Sequence, residues 1–148
     1  MNSTTIIDVE ERVERARNYF TSGYNCAQAV AMAFNDVLEM DVNMVARIAA
    51  PFGGGMGRMR EVCGTVSGMT LVAGAISPSI DPKNMDERKA NYALVQNFAA
   101  QFRAENGDII CRRLLGLEPA VEKSESAMPS ERTAEYYRKR PCVEYVAT

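Results

Sequence analysis

A chain of 148 residues, 47% apolar and 24% charged, has the length of one ordinary domain and enough apolar matter to bury a core. Its net charge of −2 gives no reason to expect nucleic acid or an acidic membrane as partner, and with only 7% aromatic residues and no tryptophan a base-stacking platform is not expected. With no histidine and no C-x-x-C pair, the chain has no Ser-His-Asp or Cys-His nucleophile, no histidine-ligated zinc or haem, and no thioredoxin-type motif.

The N-terminal residues lack a basic segment followed by an apolar run, so no signal peptide is expected. Ile6, Val9, Val13, Ala16 and Tyr19/Phe20 recur at three- and four-residue spacing, which predicts a first helix stopped by Gly23. Arg12, Arg15 and Arg17 fall on its other face, where a solvated surface is the expectation. Asn25 is the N-cap of a second helix, "CAQAVAMAFNDVLE", with Cys26 in its first turn. Asp41 caps a third, "VNMVARIAA", ended by Pro51 and a glycine run. The fourth runs from about Glu61 to Ile76, and its Gly64, Gly68, Ala73 and Gly74 are small enough to let a neighbour pack closely. A fifth spans about Asn84 to Glu105, and Asp108 caps a sixth, "IICRRLLG", which puts Cys111 three residues inside. A polar stretch from Glu118 to Glu131 precedes a last helix from about Ser130 to Lys139 and the terminal "RPCVEYVAT".

No run alternates with period two between hairpin turns. The expectation is therefore one all-α domain over residues 1–148, a bundle-like arrangement of six to seven helices. The longest apolar stretch, Val62 to Ile76, is interrupted by Cys63, Thr65, Ser67 and Thr70 and is shorter than the roughly 20 residues of a membrane span. A soluble, cytoplasmic protein is expected.

On this map each cysteine lies at or near a helix start: Cys26 after Asn25, Cys63 after the glycine run, Cys111 after Asp108, and Cys142 after Pro141. A helix N-terminus favours a thiolate over a thiol. Arg58 and Arg60 before Cys63, Arg112 and Arg113 after Cys111, and Arg138, Lys139 and Arg140 before Cys142 reinforce that expectation. The competing reading is that each cysteine is a small buried hydrophobe. The run "GGGMG" is neither a Walker A loop, since no G-K-[ST] follows, nor a dinucleotide fingerprint, since Arg60 takes the third glycine's place. Its amides could still form an anion nest, but the stronger reading is that the glycines permit positive φ and bring backbone close to Cys63.

The lone cysteine in "YNCAQAV", the glycines with "VCGTVSG", and two further lone cysteines resemble the C_GCAxxG_C_C family over about residues 15 to 142. The resemblance makes Cys26 the first cysteine, places Cys63, Gly64 and Gly68 in the C-G-A-x-x-G core, and closes the motif with Cys111 and Cys142. Thr65 stands where the family's consensus has alanine. The resemblance implies redox activity, a link to transporters, and, through a module related to split-Soret cytochromes, an iron–sulfur centre without haem.

Three functions remain open. Four thiolates can complete a [2Fe–2S] or [4Fe–4S] cluster or bind zinc, with Gly64 and Gly68 admitting backbone amides to cluster sulfurs. Two cysteines can instead form a reversible disulfide, with Cys63 as the attacking thiolate. The third is a non-catalytic helical interaction module. A redox partner, a transporter-associated protein or a second copy in a homo-oligomer are the expected partners.

Overall fold

Asp8 opens α1 (Val9–Thr21) by accepting from the Glu11 amide at 3.2 Å, and the helix buries Arg12, Ala16 and Phe20, one residue per turn. The computed structural model describes residues 8–116 together with Cys142 and Val146. In α2 (Cys26–Met32) a capping box holds the start: the Asn25 side chain accepts from the Gln28 amide at 2.9 Å, and the Gln28 side chain accepts from the Asn25 amide at 3.1 Å. Ala27 and Ala29 to Met32 are all buried, because α1, α3 and α4 pack around this short helix.

The second helix ends at Met32, well short of the expected Glu39. Arg12 supplies the reason. Its guanidinium donates to the Ala33 carbonyl at 2.7 Å and to the Asp36 carboxylate, and stacks over the Phe34 ring at 5.2 Å. Residues 33–39 wind on as turns instead, closing on Glu39 at φ 54°. Arg12 is thus buried, not part of a solvated face as its position between acidic residues suggested.

Asp41 caps α3 (Val42–Ala49), whose Val45 and Ala49 face α2, and a 3-10 turn at Ala50–Phe52 carries Pro51. The fourth helix, α4 (Gly64–Ile76), starts three residues later than expected, with Cys63 as its cap. Val62 is held outside the helix by an antiparallel bridge to Ile110. Gly64 and Gly68, one turn apart, let α4 lie directly on α2. A Cβ at Gly64 would stand 2.9 Å from the Ala27 nitrogen and the Cys26 Cβ, and one at Gly68 would stand 2.9 Å from the Ala27 carbonyl oxygen.

Asn84 caps α5 (Met85–Asn106), and Gly107 at φ 98° stops it. This helix packs on α4 and buries Phe102 against Cys63 and Val66. The last described helix is the single turn α6 (Cys111–Leu114). Asp108 accepts from the Ile109 and Ile110 amides at 2.7 and 3.0 Å, and the bridge holds Ile110 extended, so Cys111 is the first helical residue. Cys142 and Val146 have helical backbone and pack into the core formed by Ala16, Phe20, Ala29, Val30 and Ala33. Among the described residues the fold is all-α, with six α-helices and no strand. The helix expected over residues 130–139 and the polar stretch before it lie outside the described residues. No described helix is long and apolar enough to cross a membrane.

Candidate functional site

The glycine run forms a left-handed coil. Gly54, Gly55, Met56, Gly57, Arg58 and Arg60 have φ between 56° and 69°, and three of them carry side chains. A non-glycine residue in that region costs on the order of 1–3 kcal/mol, so the surroundings must hold the loop in place. Its own amides do part of this: those of Met56, Gly57, Arg58, Met59, Arg60 and Glu61 all donate to carbonyls within residues 51–56. With those six donors engaged, residues 56–61 offer no anion nest.

The coil delivers the chain to the bridge. The Cys63 amide donates to the Ile109 carbonyl at 2.7 Å, and the Cys111 amide donates to the Glu61 carbonyl at 2.6 Å. These bonds set Cys63 and Cys111 beside each other. Gly55 backs onto the pair, since a Cβ there would lie 2.7 Å from the Cys111 Cβ. From the other side, Gly64 brings the start of α4 against Cys26. Cys142 lies beside Cys26 in the core, and both line the same cavity. All four cysteines, together with Gly55, Gly64 and Arg60, line one cavity of about 50 Å³. A larger hollow along the outer face of α5, at Met85, Arg88 and Tyr92, contains no thiol.

The electrostatics differ from the expectation of activated thiolates. Burial, slightly offset by the Thr65 amide and hydroxyl, pushes the Cys63 thiol up to about 11. The hydrogen bond with Cys142, then burial, then the neighbouring sulfurs push Cys26 well above its ordinary value. Dry surroundings and crowded sulfurs outweigh the helix N-termini. The arginines also act elsewhere than expected. Buried Arg60 donates to the Cys111 sulfur at 3.7 Å, while Arg112 pairs with Glu61 at 3.0 Å and Arg113 with Asp108 at 3.5 Å. The basic residues 138–140 lie outside the described residues.

All four cysteines are free thiols, with no disulfide among them. Among the described residues no three His, Cys, Asp or Glu side chains are grouped closely enough to hold a metal ion. In its chemistry the donor set suits an iron–sulfur centre: four cysteines lining one cavity, glycines where a Cβ would strike Cys26 or Cys111, and a buried cation to offset anionic charge. Sequence reasoning did not single out Gly55, or Arg60 as a partner of Cys111. The signal for the bridge that makes both intelligible is small: β-branched Val62 and Ile110 each stand just before a cysteine.

An all-α fold that gathers four distant cysteines around one cavity defines a cysteine-centred helical protein. The chain belongs to the C_GCAxxG_C_C family, described as "Putative redox-active protein (C_GCAxxG_C_C)", which matches residues 24–148 and so takes in all four cysteines. No curated protein and no solved structure matches the chain.

Proposed function

We propose that Cys26, Cys63, Cys111 and Cys142 together ligate an iron–sulfur cluster, and that the protein transfers electrons between redox partners in the cytoplasm. The observation that carries this reading is the convergence of four cysteines, each a helix or more of chain from the next, on one cavity. A disulfide needs only two of them. The bound cluster would supply a one-electron couple that the protein's own side chains lack. The four sulfurs give up their protons on binding, which their raised affinity for protons opposes and the metal's affinity for thiolate offsets. Arg60 neutralises charge at Cys111, and Gly64 lets the first turn of α4 approach the sulfurs.

A second reading has one observation in its favour, the packing of Cys26 beside Cys142, close enough for each thiol to oppose the other's ionisation. In that reading the pair loses two protons and two electrons to form an S–S bond, while a disulfide on a partner thiol protein is reduced to two thiols. One experiment separates the two. Protein purified without oxygen is assayed for iron, zinc and acid-labile sulfide, and its visible spectrum is recorded. Iron and sulfide with sulfur-to-iron charge-transfer bands are expected. A colourless, metal-free protein that loses two titratable thiols on mild oxidation would overturn the cluster in favour of the disulfide.

A further inference from the structure

Thr65 is the second residue of α4 and is 1% exposed, yet among the described residues its hydroxyl oxygen makes no hydrogen bond of ordinary geometry. A buried hydroxyl ordinarily finds one. The usual choice for a helical threonine is the carbonyl four residues back, and Thr70 makes that bond to the Val66 carbonyl at 2.8 Å. For Thr65 the corresponding carbonyl belongs to Glu61, which lies outside the helix and accepts from the Cys111 amide in the bridge. Cys63 caps the same helix two residues earlier, and the Thr65 hydroxyl is near enough to favour its anionic form.

We propose that the Thr65 hydroxyl is a hydrogen-bond donor reserved for negative charge on the Cys63 sulfur, and that it raises the reduction potential of the four-cysteine site. The proposal rests on the cluster reading and assigns it a tuning residue beyond the ligands. A neutral thiol is a poor acceptor and does not satisfy the hydroxyl. A ligating thiolate is a good acceptor, and it gains further negative charge when the site takes up an electron. Hydrogen bonds to charged acceptors are the stronger ones, so the donor stabilises the reduced state more than the oxidised one. The hydroxyl can turn toward the sulfur by rotation about its C–O bond, without moving the helix. Thr65 acts through Cys63 and is a positioning residue.

The test compares wild type, Thr65→Val and Thr65→Ser after reconstitution with iron and sulfide, measuring reduction potential by spectroelectrochemistry. Valine keeps the shape and removes the donor, while serine keeps the donor. The expected result is a lower potential for T65V, a potential near wild type for T65S, and equal iron and sulfide content in all three. Equal potentials in T65V and wild type, or a T65S shift as large as that of T65V, would overturn the proposal. Melting of the metal-free proteins supplies an independent check. T65V should melt at or above wild type because it loses an unsatisfied buried hydroxyl, whereas clearly lower melting would show a structural partner and sink the reserved-donor role. If wild type takes up no iron and sulfide, the cluster reading fails on its own. Thr65 is then judged on metal-free protein by iodoacetamide labelling of Cys63 read by peptide mass: about tenfold slower labelling in T65V with rescue in T65S is expected, and equal rates in all three overturn the donor role.

Discussion

Arg12 ties α1 to the turns after α2 through one guanidinium that meets a carbonyl, a carboxylate and an aromatic ring. It holds the Asp36 carboxyl down to about 2, below the ordinary 3.8. A carboxyl depressed in the folded state stabilises the fold above its ordinary range, and that stabilisation is lost as pH falls through about 2. The Asp36 side chain is 47% exposed, so solvent screens the pair. Asp36→Asn should therefore lower stability at neutral pH by only about 1 kcal/mol, with the difference from wild type shrinking between pH 4 and 2. Urea titrations across that range check it, and a D36N deficit that stays constant down to pH 2 would show that the ion pair is not its source.

At the scale of elements, the contact between α4 and α2 positions the site, and glycine makes it possible. Gly64→Ala would force a Cβ to 2.9 Å from both the Ala27 nitrogen and the Cys26 Cβ, in a place where backbone must yield. The expected cost is about 1–3 kcal/mol, together with reduced metal uptake because Cys26 is displaced. Gly74 on the same helix is the control. Its Cβ would meet nothing within 4 Å, and Gly74→Ala should stabilise by about 0.5–1 kcal/mol through helix propensity alone. Thermal melts of the two variants, with iron content, check both signs. Much of this scale was legible in the residues: the caps Asn25 and Asp41, the all-α class, the small face of α4, and the placing of Cys26, Cys63 and Cys111 at helix starts. What was not legible depends on partners distant in sequence. The early end of α2 requires Arg12 to reach the Ala33 carbonyl from another helix, and the late start of α4 requires Ile110 to pair with Val62. The direction of the thiol shifts was hidden for the same reason. A helix start is visible locally, whereas burial and a second sulfur at contact distance are not.

For the molecule as a whole, the cavity sets folding and loading against each other. The fold buries thiols that strongly prefer to stay protonated, and the proposed cluster would require them deprotonated. Cys63 alone moves from an ordinary 9.0 to about 11. A group whose folded value is raised stabilises the fold fully below its unfolded value, and that stabilisation is lost as pH rises through the folded one. For the metal-free protein this predicts a loss of about 2–3 kcal/mol from Cys63 between pH 9 and 11, steeper still with Cys26 contributing in the same direction. Cys63→Ala should remove the Cys63 share of that slope, at the cost of a small cavity that lowers stability equally at every pH in the range. The loaded protein should behave differently, because its sulfurs are already anionic and have no proton to lose. Guanidinium titrations of metal-free and reconstituted protein at steps from pH 8 to 11 measure both slopes. A steep metal-free curve beside a flat loaded one is the expected pair. Parallel curves would mean that the thiols keep their protons when the metal is present, and that the four sulfurs do not hold it.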